Sequence, residues 1–292
     1  MSHPAVTERD IETYERDGVA CIRGAFSKEW FDLLAQGVEK DIATPGPLHT
    51  IQQTEGDSGF FLTDFCMSQR LPEFRRFICE SPAGGIAAAL MRSKRTNFFY
   101  DAIWVKGAGT PKRTRWHQDQ PYYSVDGQHM CIFWLPLDPV SKDVSLELIR
   151  GSHKWGRWFQ PELTRSGNDL YPDTDAFERM PDIQAERAKY DIVSFDMQPG
   201  DIIAFHGMVV HGAPGNPNQQ SCRRALSTIW LGDDAVYAER PGPVRPLFQG
   251  HGLKPGDAMD CDYFPRVWPG SSGAGLAKGP RFADNSTFKV SI

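Results

Sequence analysis

Two histidines and one carboxylate are the residues of this chain whose types and spacing best suit catalysis. His117 and Asp119 are two positions apart in the stretch Trp116-His117-Gln118-Asp119, and His211 follows far downstream. On a β-strand, side chains two positions apart point to the same face, and a distant strand can supply the second histidine. Two histidines and a carboxylate on one face of a metal form the facial triad of non-haem Fe(II) oxygenases, which leaves coordination positions open. The pattern therefore predicts a metal-dependent oxygenase.

The third ligand and a nearby cation have competitors in the sequence. His153 and His206 compete with His211 for the third ligand position. Arg223 and Arg224 begin a predicted strand, so only one of them points inward. An inward arginine could hold the far carboxylate of an organic acid through a bidentate contact. These residues alone leave both choices open.

Composition and charge exclude several classes of protein. The chain has 292 residues, of which 40% are hydrophobic and 24% charged, and this favours a folded protein. A net charge of −5 and a pI near 5.9 give no field that would attract nucleic acid or an anionic membrane. The first ten residues lack the apolar core of a secretory signal, and no apolar run is long enough to cross a bilayer. We therefore expect a soluble, cytoplasmic protein that acts on a small molecule, and the oligomeric state stays unknown.

Six scattered cysteines are expected to be free thiols: Cys21, Cys66, Cys79, Cys131, Cys222 and Cys261.

Hydrophobic periodicity changes character near residue 97. Helices are predicted over 7–16, 28–42 and 72–91, the last with a break at Ser81-Pro82. Short β-branched or aromatic runs follow, bounded by Gly, Pro or Asp. They predict strands over 98–106, 130–137, 144–149, 192–197, 202–205, 208–211 and 225–231. Residues 198–201, Gln-Pro-Gly-Asp, have the order of a type II turn.

This arrangement favours a mainly β fold with flanking helices, in the form of a double-sheet jelly roll. We predict a single domain over 1–292, with a helical N-terminal part to about 95, a β core over about 96–235 and an irregular C-terminal tail. Residues 156–190 are also expected to be irregular, and a long loop in an enzyme is often a lid or binding loop.

Residues 96–232 resemble the phytanoyl-CoA dioxygenase family of Fe(II)/2-oxoglutarate-dependent oxygenases. The matching landmarks, in order, are residues 101–106, 116–119, 151–154, 200–206, 211–213 and 223–226. The resemblance implies a double-stranded β-helix, the cupin-like form of the jelly roll. It also implies that Fe(II) is bound by three catalytic residues: His117, Asp119 and His211.

The resemblance further implies a site for 2-oxoglutarate. Arg223 matches the arginine that holds the distal carboxylate, and Trp134 matches an aromatic residue that lines the co-substrate site. Ala213 stands where many members carry a serine that touches the same carboxylate. His153 belongs to a structural landmark. The spacing from His211 to Arg223 is one residue longer than in close relatives.

The implied reaction uses O2 and 2-oxoglutarate, releases succinate and CO2, and oxidises a C–H bond, with hydroxylation as the default. Asp119 argues against a halogenase, which needs the carboxylate position vacant. The alternatives are a cupin-like metalloenzyme that does not need Arg223 and a non-catalytic binding module that does not need the triad. A basic cluster of Lys112, Arg113 and Arg115 is interpreted as a solvated loop rather than an anion site. Five aromatic residues are candidates for an apolar cavity: Tyr122, Tyr123, Phe133, Trp155 and Trp158.

Overall fold

A computed structural model describes residues 5–53, 59–163, 167–172, 174–270 and 289–291. These residues form four α-helices: α1 (Glu8–Asp17), α2 (Lys28–Ala43), α3 (Pro72–Glu80) and α4 (Ala83–Leu90). The first eight strands are β1 (Val19–Ile22), β2 (Thr50–Gln52), β3 (Phe61–Phe65), β4 (Thr96–Lys106), β5 (Thr114–His117), β6 (Val125–Asp126), β7 (Met130–Pro136) and β8 (Glu147–Ile149). The others are β9 (Ile192–Val193), β10 (Ile202–His206), β11 (His211–Ala213), β12 (Arg223–Leu231), β13 (Val236–Tyr237), β14 (Leu247–Gln249), β15 (Arg266–Trp268) and β16 (Lys289–Ser291).

The helices begin and end where the sequence predicts. Thr7 and Asp10 form a reciprocal capping box at the start of α1, and Gly18 ends this helix with a φ of 74° while donating to the carbonyl of Tyr14. Ser81 and Pro82 separate α3 from α4, because a proline ring cannot continue the hydrogen-bond ladder. The three predicted helical segments are therefore confirmed, including the break.

Two antiparallel sheets face each other. The larger has the order β1-β10-β7-β12-β4-β3-β2, with β15 also paired to β4, and the smaller has the order β5-β11-β8-β9. Non-consecutive strands are neighbours in both sheets, as in a double-stranded β-helix. The predicted fold class is confirmed.

The two faces of the larger sheet have different partners. One face packs against the helices in a hydrophobic core whose members include Phe74, Phe77, Ile86, Leu90, Ile103, Phe133, Leu226 and Trp230. Because side chains alternate along each strand, the residues between them point to the other face, toward the smaller sheet. The helices therefore cover the back of the sheet and leave its front face to build a site.

Several predicted boundaries are wrong. The N-terminal part, expected to be helical, also supplies β1, β2 and β3 to the large sheet. The predicted strand over 192–197 is reduced to β9 and an isolated bridge between Val140 and Met197, and the strand over 144–149 begins only at Glu147. The predicted strand over 208–211 forms only at His211, and Met208 belongs to a turn in which its backbone N–H donates to Nδ1 of His206. His211 therefore begins a strand instead of ending one.

The expected turn and thiols are found. Gly200 has a φ of 97° and the backbone N–H of Asp201 donates to the carbonyl of Gln198, as a type II turn requires. All six cysteines are free thiols. Across the described ranges, no helix has both the length and the apolar character that a membrane span needs.

The two segments expected to be irregular are largely so. The described part of 156–190 contains isolated bridges and one turn of 3-10 helix, Arg187–Lys189. The tail beyond residue 239 is mostly irregular, but it contributes β14, β15 and β16. Its glycine-rich portion, 271–288, lies outside the described residues.

Candidate metal centre and cavity

The two histidines of the triad are held together by strand pairing. His117 is the last residue of β5, and it lies directly opposite His211, the first residue of β11. Their ring centroids are 4.2 Å apart. A residue that is distant in sequence is thus placed next to His117 by the ladder of the smaller sheet.

The side chain of Asp119 lies beside both histidines, but a turn positions it instead of the predicted strand. It lies beyond the end of β5 with φ −82° and ψ −42°, at the start of a 3-10 turn over Gln120–Tyr122, so strand alternation does not present it. The backbone N–H groups of Asp119 and Gln120 both donate to the carbonyl of Gly207, which anchors the turn beside the loop leading to His211. The expected convergence occurs, but through a turn.

The three side chains form a compact set of ligand atoms. Nε2 of His117 is 3.3 Å from Oδ1 of Asp119, and Nε2 of His211 is 3.8 Å from Oδ2. One donor atom from each residue lies within 4.8 Å of the others. Among the described residues, this is the one group of three or more histidines, cysteines or carboxylates with such geometry. Neither His153 nor His206 belongs to it, and their rings lie 5.4 Å from each other.

Backbone carbonyls orient both imidazoles. Nδ1 of His117 donates to the carbonyl of Arg115 at 2.8 Å, and Nδ1 of His211 donates to that of Val209 at 3.0 Å. Because a carbonyl only accepts, each Nδ1 carries the proton and each Nε2 is left as the metal-binding atom. The rings are therefore preset in the tautomer that a divalent metal needs.

The electrostatics of the triad favour exchange of a proton for a metal. Burial opposes charge on His117, but the hydrogen bond and attraction of Asp119 outweigh it, so the pKa of His117 is raised. Burial also opposes charge on Asp119, but both histidines hold its pKa below the ordinary value. Burial and the neighbouring His117 lower the pKa of His211 to about 4. A divalent metal competes with protons for these ligand atoms, so we expect metal binding here to depend on pH.

The triad opens into a cavity of about 430 Å³ between the two sheets. The front face of the larger sheet provides one wall with alternating residues of its strands: Thr63, Phe65, Tyr100, Ala102, Trp104, Ile132, Trp134, Phe205, Ser227 and Ile229. The smaller sheet contributes Thr114, His117, His211 and Ala213. A volume of this size is typical of a small-molecule site.

The adjacent arginines of β12 have opposite environments. Arg223 is 4% exposed and lines the cavity, where its Nε has no hydrogen-bond acceptor and one terminal N–H donates to the carbonyl of Val144. Burial lowers the pKa of Arg223 to about 10. Arg224 points away and pairs with Asp138 at 2.6 Å and with Glu39. Within the described ranges no carboxylate pairs with Arg223, so its charge is uncompensated inside the cavity.

Two further residues named from the sequence lie beside this guanidinium. The indole ring of Trp134 is buried in the cavity wall, with its centroid 6.0 Å from Cζ of Arg223. Ala213 also lines the cavity and is 1% exposed. The residues that the sequence singled out for metal and co-substrate binding thus share one cavity.

Of the five aromatic residues proposed to line a cavity, only Tyr122 and Tyr123 do so. Phe133 is adjacent to Trp134 on β7, so it faces the helices, and placing it in the cavity was wrong. Trp155 packs against a separate cluster around Phe159. Trp158 lies instead under the guanidinium of Arg240, 5.1 Å from Cζ to the ring centroid.

The basic cluster of Lys112, Arg113 and Arg115 spans the start of β5, and both arginines are exposed. Arg113 and Arg115 line the cavity, and each pairs at 2.7 Å with a carboxylate, Glu147 and Glu162 respectively. Their charges are therefore already compensated. The interpretation as a loop is wrong for Arg115, which lies on β5, and the expected lack of an anion site stays a prediction.

Sequence reasoning missed a group of lining residues outside the predicted strands. They come from the N-terminal strands, the irregular segment and the tail: Thr50, Gln52, Thr63, Phe65, Gln160, Glu162, Leu163, Met180 and Arg245. The short β2 and β3 lacked a clear alternating pattern, and no periodicity marks residues in irregular segments. Only the fold brings them together.

The fold and the triad define a class: double-stranded β-helix proteins with a mononuclear two-histidine, one-carboxylate metal site. Within this class, the chain belongs to the phytanoyl-CoA dioxygenase family, whose model matches residues 14–225. No curated protein matches the chain in sequence.

Solved structures share this fold at low sequence identity. The non-heme alpha-ketoglutarate-dependent carbocyclase SnoK of nogalamycin biosynthesis has a TM-score of 0.68 and 21% identity, covering 90% of this chain and 96% of SnoK. The epimerase SnoN, solved with Fe3+, alpha-ketoglutarate and nogalamycin RO, has a TM-score of 0.67 and 18% identity, covering 91% of this chain and 100% of SnoN. EctD from S. alaskensis, solved with 2-oxoglutarate and 5-hydroxyectoine, has a TM-score of 0.63 and 17% identity, covering 89% and 86%.

Proposed function

We propose that this protein is an Fe(II)- and 2-oxoglutarate-dependent dioxygenase that hydroxylates a C–H bond of a small-molecule metabolite. One observation carries the proposal. Arg223, a buried guanidinium without a carboxylate partner among the described residues, lies in the same cavity as the His117, Asp119 and His211 triad. An uncompensated buried charge is costly, and a dicarboxylate that also binds the metal would compensate it.

The residues present fit a divalent iron. His117, Asp119 and His211 would hold it through two Nε2 atoms and a carboxylate oxygen, the ligand set typical of non-haem Fe(II). When bound, iron supplies the oxygen chemistry, coupled to decarboxylation of 2-oxoglutarate to succinate and CO2. The carbonyls of Arg115 and Val209 keep both imidazoles in the ligating orientation.

The residues also fit 2-oxoglutarate. Arg223 would hold the distal carboxylate. Its Cζ lies 6.0 Å from the ring centroid of Trp134, so the guanidinium is beside an aromatic side chain. Gln118, between His117 and Asp119, fixes the ligand segment, because its buried amide donates to the carbonyls of Arg157 and Met208 and accepts from the N–H of Phe159. The protein thus binds, orients and encloses the reactants. The solved structures that share this fold include a carbocyclase and an epimerase. Hydroxylation is therefore proposed as the default outcome among several that this type of centre supports.

The test is an anaerobic titration of the metal-free protein with Fe(II) and 2-oxoglutarate, which follows the visible metal-to-ligand charge-transfer band of the chelate. We expect the band in the wild type and its loss in His211→Ala. We also expect Arg223→Met to weaken 2-oxoglutarate binding by about 10-fold to 100-fold, since a charge-assisted contact is removed.

The neighbouring residues provide matched controls. Arg224→Met removes an identical side chain that points away from the cavity, and His153→Gln removes a histidine outside the triad. Both should retain the band. Iron binding without a band at saturating 2-oxoglutarate would favour the cupin-like alternative. Ligand binding that survives loss of both His117 and Asp119 would favour a non-catalytic module.

A further inference from the structure

The charges that line the cavity are unevenly compensated. Four arginines line it: Arg113, Arg115, Arg223 and Arg245. The first two pair with Glu147 and Glu162 at 2.7 Å. This inference rests on the proposed function in one respect, which is that Arg223 is committed to 2-oxoglutarate. One cation of the cavity is then left without an anion, Arg245.

Arg245 has no polar partner for its side chain. Its guanidinium makes no hydrogen bond or ion pair with any part of the chain that the structure describes, and its Nε is buried without an acceptor. Elsewhere in the cavity wall each arginine donates at least one hydrogen bond. A buried N–H without an acceptor is costly, and an oxyanion of a bound ligand would supply the acceptor that this Nε lacks.

The backbone of Arg245 is fixed beside the metal centre. Its N–H donates to the carbonyl of Tyr122 at 2.9 Å, and the residues on both sides, Val244 and Pro246, are buried. Tyr122 closes the 3-10 turn that begins after Asp119, and its ring centroid is 6.0 Å from that of His117. The arginine is therefore tied to the same turn that presents the carboxylate ligand.

Several aromatic side chains line the remaining walls of the cavity. Phe65 and Trp104 contact each other edge to face with centroids 5.9 Å apart, and Tyr122 and Tyr123 lie near the triad. Aromatic walls favour a ligand with an apolar body, and the unpaired guanidinium favours a ligand that carries one anionic group. We propose that Arg245 binds a carboxylate or phosphate group of the substrate, which is a small acid whose apolar body packs against these aromatic rings.

The test compares acids with neutral analogues that keep the same aromatic body. The probes are 3-phenylpropionate against 3-phenylpropionamide, and phenyl phosphate against phenol, each titrated calorimetrically under anaerobic conditions with Fe(II) and saturating 2-oxoglutarate. We expect at least one acid to bind about tenfold more tightly than its neutral partner. The pair that shows the preference identifies the carboxylate or the phosphate.

Variants assign the preference to Arg245. It should disappear in Arg245→Gln and persist in part in Arg245→Lys, which keeps the charge. Arg113→Gln is the matched control, because it removes a lining arginine while Glu147 keeps its second partner, Arg187, at 2.7 Å. Equal binding of acids and neutral analogues by the wild type overturns the proposal, and so does a preference that survives Arg245→Gln.

The charge-transfer band separates this result from the proposed function. A band in both wild type and Arg245→Gln, with no preference for acids, would mean that only the substrate assignment fails. If the wild type forms no band, the proposed function fails. The acid comparison with Fe(II) alone then still decides the role of Arg245, which stands if the preference is lost in Arg245→Gln and kept in Arg223→Met.

Discussion

At the scale of single residues, neighbours with identical side chains have different roles because strand alternation sends them to opposite faces. Arg223 is enclosed in the cavity and Arg224 is compensated by Asp138 on the outside. Phe133 and Trp134 divide in the same way between the helical core and the cavity. The chemistry of this site therefore depends on which face of the sheet a side chain points to as much as on the residue type.

A residue-scale prediction concerns Ala213, which the resemblance described above aligns with a serine of the family. Its side chain lines the cavity and is 1% exposed. Under the proposed function, Ala213→Ser adds a hydrogen bond to the distal carboxylate and should lower the Kd for 2-oxoglutarate about fivefold. Titration of the charge-transfer band measures this value. Ala102→Ser, a lining residue on a different strand, should leave the Kd unchanged, and an equal effect in both variants would contradict the assignment.

At the scale of elements, hydrogen bonds from buried polar side chains tie the strands to the turns around them. Asp101 on β4 accepts from the backbone N–H and the hydroxyl of Ser68, both at 2.9 Å, and so holds the turn after β3 against the sheet. Burial raises the pKa of Asp101 to about 7. A carboxyl group in this position links stability to pH.

The sign of that linkage gives an element-scale prediction. An unfolded aspartate has a pKa of about 3.9, so between about pH 4 and pH 7 the folded state binds the additional proton. The free energy of unfolding should therefore fall as the pH rises through this window, and the contribution of Asp101 should be about 3 kcal/mol between pH 5 and pH 8. Urea unfolding at several pH values measures it.

The matching variant is Asp101→Asn, which is neutral at every pH and whose amide can still bond to Ser68. Its stability should fall less steeply with pH than that of the wild type. A residual slope is expected from Asp41, whose pKa is raised to about 7 by burial and by Asp64. The exposed Asp175→Asn should keep the full slope. An unchanged slope in Asp101→Asn would show that this carboxyl is ionised in the folded protein at pH 5.

At the scale of the whole molecule, the helices and the smaller sheet cover opposite faces of the large sheet. Phe77 on α3 is fully buried, with its ring centroid 4.9 Å from that of Phe26 and 6.1 Å from that of Trp30. The core that contains it extends from α1 to β15. Because the helical layer and the β core share this cluster, they should unfold together, in keeping with the predicted single domain.

A whole-molecule prediction follows for Phe77→Ala. The substitution should lower the free energy of unfolding by about 3–5 kcal/mol, since it removes a large buried ring and leaves a cavity. Circular dichroism and tryptophan fluorescence should report one coincident transition in both wild type and variant. Ile51→Ala, at a 52% exposed position, should change stability by less than about 0.5 kcal/mol. Two separated transitions in the wild type would contradict the single domain.

The sequence by itself determined the ligand types, the helices with their break at Ser81-Pro82, and the mainly β class. These follow from local causes, namely side-chain chemistry, periodicity and the backbone limits of proline. Tertiary structure alone decided that Asp119 enters the site from a turn and that Arg245 joins it from an irregular tail. Those placements depend on contacts between distant segments, such as the pairing of His117 with His211 and the bond from Arg245 to Tyr122. No local pattern records such contacts, because strand order and loop path are set by how the whole chain buries its apolar surface.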